Sequence, residues 1–224
     1  MLVERSMHPD WLSNAYLVAD EPGGTAVFVD SGAPLQPLLD VVEREALTVT
    51  HVLTTHGDHD HVAGHSALLE RFDVPVWERD GELETGGLRF RGLSTPGHAD
   101  PHIAFVVDDV CFSGDILFKN AVGGGQDVPA IRRSVMDVLM KLPPETRVLA
   151  GHTVETTIGR EWEENPFVRV WRGLDPEGDE PCRVGGDDAT IVVWSPDYDG
   201  KGKALVRFAD GGEVIIGGSR VERL

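Results

Sequence analysis

The chain has 224 residues, 41% of them hydrophobic, with 20 Lys and Arg against 38 Asp and Glu for a formal charge of −18. This apolar fraction supports a real core and excludes disorder as the main state, and the length suits one large domain or one domain with a small appendage. So acidic a surface repels phosphate, which excludes a general nucleic-acid binder or a binder of anionic membranes; the expected partner is a small-molecule substrate, with a homo-oligomer left open.

The opening MLVERSMHPDW places Glu4 where a secretory leader would need an apolar run, so none is expected. No stretch approaches the roughly 18 apolar residues of a membrane span. The cysteines are Cys111 and Cys182 alone, which gives no disulfide framework and no cysteine metal site; a reduced, cytoplasmic setting is expected, with Cys111 a small core residue. Residues 15–18 and 26–29 read as short strands around a Pro22-Gly23-Gly24 turn. Over 34–45, Leu35, Leu38, Leu39 and Val42 recur at helical spacing, and Pro34 suits a first turn. The β-branched run 48–55 predicts a buried strand, and a helix is expected over 62–72. Strands follow at 88–95, 103–107 and 110–113, then Gly123-Gly124-Gly125, read as a mobile loop. Residues 130–142 give the clearest helix, with Ile131, Val135, Val138, Leu139 and Leu142 on one face. A strand at 147–150 precedes a helix over 156–164 that stops before Asn165-Pro166. The composition of 175–188, DPEGDEPCRVGGDD, then turns acidic and glycine-rich. Short strands follow at 190–194, 204–208 and 213–216, the last two joined by Asp210-Gly211-Gly212. The expected organisation is an α/β domain over 1–172, an acidic flexible linker over 173–188 and a small β-rich appendage over 189–224.

The nine histidines are clustered. His56, Asp58, His59, Asp60 and His61 follow the strand ending at Thr55; His98 follows Thr95-Pro96-Gly97, Asp115 follows Ser113-Gly114, and His152 follows Ala150-Gly151. In layered α/β sheets such strand ends converge on one cleft. Imidazole and carboxylate donors aimed at one point suit zinc, iron or manganese, and two metals that share a bridging carboxylate polarise a carbonyl and activate water.

Thr55-His56-Gly57-Asp58-His59-Asp60-His61-Val62-Ala63-Gly64 resembles the T-H-x-H-x-D-H-x-x-G signature of the metallo-β-lactamase superfamily. Asp30-Ser31-Gly32, Thr95-Pro96-Gly97-His98, Phe112 to Phe118 and Gly151-His152 are similar to its other motifs, in order, so that the likeness spans roughly 10–170. Gly151-His152 with Thr156, Thr157, Ile158, Gly159 and Glu161, followed by Asn165-Pro166, resembles the glyoxalase II branch. The resemblance implies an αββα sandwich with two divalent ions at one edge, zinc first, with manganese or iron as alternatives. It assigns His56 and His98 to one ion and Asp60, His61 and His152 to the other, with Asp115 as the bridge. Asp60 and Asp115 are then the catalytic carboxylates, and a hydroxide generated at the ions attacks the substrate.

Two departures matter. The family's second histidine is Asp58 here, with His59 one place later; Asp58 is taken as the ligand, and His59 as solvent-facing or supporting. A third carboxylate tilts the site towards harder ions. The stretch that carries a glutathione-binding cation in glyoxalase II reads Val122-Gly123-Gly124-Gly125, with Lys119 as the nearest substitute, and the β-rich tail replaces a helical substrate domain. Among the other histidines, His51 reads as a satisfied core residue, His65 as a packing or surface residue, His102 as a strand-end residue or a partner to a ligand carboxylate, and His8 as unassigned. The tryptophans, among them Trp11 and Trp77, read as core or interface residues. The expected activity is metal-dependent hydrolysis of a small-molecule thioester or acyl ester. Alternatives are a mononuclear-iron persulfide dioxygenase, a lactonase or β-lactamase, and a non-catalytic binding protein; complete retention of the other ligand positions disfavours the last.

Overall fold

The early strands are apolar on both faces, and alternate residues look in opposite directions. In the strand Asn14–Ala19, Ala15, Leu17 and Ala19 pack with Phe28, Val52 and the helical Leu38 and Leu68. Tyr16 and Val18 instead meet Val27, Leu53, Phe90 and Phe105. Burial on both sides requires a cover on each face. The computed structural model describes residues 1–224 and shows both covers. The first sheet runs Leu2–Met7, Asn14–Ala19, Thr25–Val29, Thr48–Leu53, Val76–Trp77. The second runs Thr156–Thr157, Arg147–Ala150, Val110–Gly114, Ile103–Val107, Leu88–Ser94, Gly81–Thr85. The helices Gln36–Arg44 and His65–Phe72 cover the first sheet; Val128–Arg133, Ile158–Glu164 and Pro166–Trp171 cover the second. The result is an αββα sandwich. Parallel pairing of Thr25–Val29 with Thr48–Leu53, and of Val110–Gly114 with Arg147–Ala150, brings the C-terminal ends of these strands to one edge.

Several expected elements change form. The helix over 62–72 is two helices, His59–Val62 and His65–Phe72. The chain bends at Gly64, where an added Cβ would lie 2.5 Å from the Ser31 carbonyl oxygen. Pro37, not Pro34, occupies the first turn of Gln36–Arg44. The helix over 130–142 changes pitch: α over Val128–Arg133, π over Ser134–Val138 and 3-10 over Leu139–Lys141. Ile131, Val135, Leu139 and Leu142 stay buried through these changes, while Val138 is only half-buried. Thr156–Thr157 is strand, and helix begins at Ile158. Cys111 is buried, and burial pushes its thiol up to about 12.

Residues 180–188, the second half of the expected linker, are paired strand and turn rather than flexible chain. Glu180–Val184 pairs antiparallel with Asp187–Ser195 through a turn at Gly185 and Gly186, whose φ values of 62° and 96° suit glycine. The charges that suggested flexibility are taken up in ion pairs, Arg183 with Asp188 and Arg223 with Glu180. The third sheet runs Glu213–Gly217, Lys203–Phe208, Asp187–Ser195, Glu180–Val184, Val221–Arg223. Its Val192, Val193, Leu205 and Ile215 join the same apolar cluster as Ile131, Val135 and Phe167. Gly125 and Ile215 exchange two backbone hydrogen bonds of 2.9 Å each, so the glycine loop is clamped between the sandwich and this sheet rather than mobile. No helix is long and apolar enough to cross a membrane.

Candidate metal centre

Strand ends carry the clustered donors to one place. His56 to His61 follow Thr48–Leu53, His98 follows Leu88–Ser94, Asp115 follows Val110–Gly114, and His152 follows Arg147–Ala150. Asp115 Oδ1 lies 3.3 Å from His61 Nε2, and its Oδ2 lies 3.2 Å from His152 Nε2 and 3.7 Å from His98 Nε2. Asp60 Oδ2 is 3.4 Å from His152 Nε2. Asp58 Oδ2 faces His56 Nε2 at 3.6 Å and His98 Nε2 at 3.5 Å, whereas His59 is exposed and turns its ring edge to Trp11.

The hydrogen bonds behind the rings decide which nitrogen is bare. Asp30, in the left-handed region at φ 56°, accepts the Thr55 backbone N–H at 2.8 Å and the Thr55 hydroxyl at 2.8 Å. That hydroxyl has no second proton, so at 3.0 Å it accepts from His56 Nδ1–H. Asp30 Oδ2 also accepts from His61 Nδ1 at 2.8 Å, and the Gly124 carbonyl accepts from His98 Nδ1 at 2.7 Å. The Nε2 atoms of His56, His61 and His98 all point inward, and all three are buried without a partner, as is Asp115 Oδ1. Such orphaned groups cost about 1–3 kcal/mol each unless something accepts their lone pairs. Two ligands about 2.1 Å from one divalent ion stand at most about 4.2 Å apart, and the carboxylate–imidazole separations here, 3.2 to 3.7 Å, fall inside that limit. Donors in the groups His56, His98, Asp115 and Asp60, His61, His152 lie within 4.8 Å of one another. The residues therefore fit a pair of divalent ions.

Charge works the same way. Burial, the largest influence on the Asp115 carboxyl, would raise its pKa, but the His61 and His152 rings outweigh it and hold it well below the usual carboxylate range. Burial likewise pulls the two rings down, but Asp115 dominates: His61 stands well above the usual histidine value and His152 at about 9. Burial keeps His56 neutral.

Close backbone crossings make the gathering possible. An added Cβ on Gly32 would fall 1.5 Å from the Asp60 carbonyl oxygen, on Gly123 2.0 Å from the Asp115 carbonyl oxygen, and on Gly151 2.2 Å from Asp115 Oδ1. His102 Nε2 accepts the Asp115 backbone N–H at 3.1 Å, so His102 holds the backbone of Asp115 and not a ligand carboxylate. His65 is held between Ser31 (2.5 Å) and Thr54 (2.7 Å), behind the cluster. His51 is half-buried with its Nδ1 unpartnered, not a satisfied core residue. His8 stacks on the exposed Trp11 at 4.1 Å; Trp77 is core. Lys119 does not line the cleft. Glu161, fully buried, accepts from Thr156 (2.6 Å), Asn165 (2.9 Å) and the Asn120 backbone (2.8 Å), so this part of the motif supports the loop after His152. One contributor was not read from sequence: Tyr198, whose ring stacks on His152 at 4.3 Å and 6°.

The sequence profile of the metallo-beta-lactamase superfamily matches residues 8–89. An uncharacterized protein of Aquifex aeolicus is 34% identical over 195 residues, covering 69% of this chain and 91% of its own. Hydroxyacylglutathione hydrolase GloC of Haemophilus influenzae is 28% identical over 196 residues, covering 69% of this chain and 92% of its own. The crystal structure of TTHA1623 in a di-iron-bound form superposes with a TM-score of 0.61 at 31% identity, covering 72% of this chain and 98% of that one.

Replacing Asp30 with Ala removes the acceptor that orients His61, and divalent-metal affinity should fall about 10–100-fold in competition with a chromophoric chelator. Unchanged affinity would deprive Asp30 of that role. Ligation also needs rings that the metal-free protein holds protonated at pH 7, so metal uptake should release protons, and affinity should rise between pH 6 and about 9. The sign for folding is opposite. A raised histidine pKa stabilises fully below its ordinary 6.5, and that stability is lost as pH passes through about 9. The melting temperature of the metal-free protein should fall across this window; calorimetry in buffers of different ionisation enthalpy reads the proton count.

Proposed function

The chain belongs to the metallo-β-lactamase superfamily, in its glyoxalase II-like branch, and is a metal-dependent hydrolase; on that premise we propose that it cleaves a small-molecule thioester or acyl ester. In this reading His56, Asp58 and His98 hold one ion, Asp60, His61 and His152 hold the second, and Asp115 lies between them. The observation that carries it is Asp115: its two oxygens face different rings, 3.3 Å from His61 on one side and 3.2 and 3.7 Å from His152 and His98 on the other. Bound there, divalent ions supply Lewis acidity to an acyl carbonyl and to the attacking water.

The protein's own groups do the rest. Asp60 keeps about a third of its side chain open, and the His152 ring beside it holds its carboxyl low, so it is ionised at neutral pH and can orient water by accepting its proton in a hydrogen bond. His98 and His61 are fixed through Nδ1, so their inward nitrogens stay aimed without further reorganisation. Three carboxylates among seven donors favour oxygen-loving ions more than a histidine-only set would, so manganese and iron compete with zinc here. The presence of Asp60, His61 and His152 together supports two ions over a mononuclear iron site.

With zinc, manganese or iron restored, the protein should release thiol from simple acyl thioesters, read with a thiol-reactive dye. Asp115→Ala should abolish this release, and undiminished turnover would overturn the bridging role. Asp58→His should shift metal preference towards zinc, as read by competitive loading with equal zinc and manganese followed by elemental analysis; an unchanged ratio would make Asp58 a bystander.

A further inference from the structure

The metal ions would sit at the floor of a cleft of about 250 Å³ whose far wall is the C-terminal sheet. From the sandwich come His98, Asp115 and Phe118; from the sheet come Tyr198, Lys203 and Arg220. Among the lining residues the charged ones are therefore Asp115, committed to the ions, and two cations. This is an unexpected balance in a chain of net charge −18.

The two cations differ. Lys203 is buried, with its Nζ 3.0 Å from Asp197 Oδ2 and about 6 Å from the rings of Phe118 (5.8 Å) and Tyr198 (5.7 Å). Asp197 balances its charge. Arg220 is exposed at the cleft and forms no hydrogen bond or ion pair within the protein. Its backbone is nonetheless fixed. It ends the turn Gly218–Arg220, whose Gly218 donates to the Gly202 carbonyl at 2.6 Å. Gly218 packs so tightly that an added Cβ would lie 2.2 Å from the Lys201 carbonyl oxygen and 2.6 Å from the Trp194 ring. An unpaired guanidinium on a rigid turn is suited to bidentate capture of a carboxylate.

We propose that Arg220 binds a carboxylate on the substrate, with Tyr198 and the Lys203–Asp197 pair forming the wall behind it, so that the preferred substrates are anionic acyl thioesters or esters. For the reaction this rests on the proposed function; for binding it does not. Two of the three loop glycines could not house such a cation. A side chain at Gly123 would strike the Asp115 carbonyl, and one at Gly125 would come 2.6 Å from the Gly97 carbonyl oxygen. The third sheet supplies the positive charge from across the cleft instead.

The test uses two thioethers that cannot be hydrolysed, S-butyl-N-acetylcysteine and its carboxamide, titrated by calorimetry into the full-length, metal-loaded protein. The carboxylate form should bind at least tenfold more tightly, and Arg220→Gln should remove most of that preference. Arg89→Gln, which alters an exposed cation paired with Glu84 outside the cleft, should leave it intact. Absence of binding by the carboxylate form, equal affinity for both thioethers, or a preference that survives in Arg220→Gln overturns the proposal. If thioesters are hydrolysed while the two thioethers bind equally, this inference fails and the proposed function stands. If the carboxylate form binds through Arg220 and no thioester is cleaved, the reverse holds.

Discussion

Inward-facing lone pairs that have nowhere to go within the protein are the constraint on which this molecule is built. His56, His61 and His98 each spend Nδ1 on a fixed acceptor and leave Nε2 buried without a partner. Asp115 sits among them at the end of a strand with one oxygen equally unpartnered. No apolar fold assembles such a set for stability, because each buried unsatisfied group opposes folding. The sandwich tolerates it because two sheets and two layers of helices bury large apolar faces elsewhere. Without metal, a proton on the inward nitrogen of His61, 3.3 Å from Asp115 Oδ1, and the charge on His152 offset the negative charge of Asp115, and that proton must leave before the His61 lone pair can meet a cation. The same lone pairs that are a liability to the bare chain are what a cation needs.

The sandwich was legible because strand periodicity and donor placement agree. Unbroken apolar runs along 15–19 and 103–107 mark two-sided burial, and each clustered donor lies just beyond a strand end, His98 beyond the one-sided strand Leu88–Ser94. The resemblance then ordered the donors, and the geometry brings them together. What could not be read was anything that depends on pairing across the chain. Residues 180–188 look like linker because Asp, Glu and Gly dominate, yet Arg183 and Arg223 neutralise the acids and the glycines make a hairpin turn. The stretch 123–125 looks mobile because nothing local reveals that Ile215 will pair with Gly125. His102 looked as much like a strand end as a supporting residue, since the backbone N–H it accepts lies 13 positions away.

The glycine loop and the third sheet are two halves of one solution. The loop has to pass Asp115 at contact distance, and Gly123 is the residue that lets it do so. Gly123 itself can therefore carry no side chain towards a substrate, and Gln126, the non-glycine loop residue that does line the cleft, is uncharged. The sheet that pairs with the loop through Ile215 brings its own side chains to the opposite side of the same cleft: Tyr198 stacked on His152, Lys203 beneath, Arg220 at the opening. Because Val192, Leu205 and Ile215 are part of the core shared with the helices, this wall is as firmly placed as the sandwich.

Placing cationic charge on the sheet rather than on the loop also spares the metal centre. A cation about 4 Å from a ligand carboxylate would compete with the metal by about 4 kcal/mol at an effective dielectric of 20, and at about 10 Å by under half of that. Lys203, the more buried of the two cations, is neutralised by Asp197 at 3.0 Å, so its field on Asp115 is that of a dipole. Arg220, which has no such partner, stands at the opening, where solvent and salt screen its long-range effect on the carboxylates. Screening weakens a direct, charge-assisted contact much less. An exposed arginine on a rigid turn can thus hold an anion arriving at the cleft without drawing Asp58, Asp60 or Asp115 away from the ions, and a strongly acidic protein keeps one place where an anionic molecule is welcome.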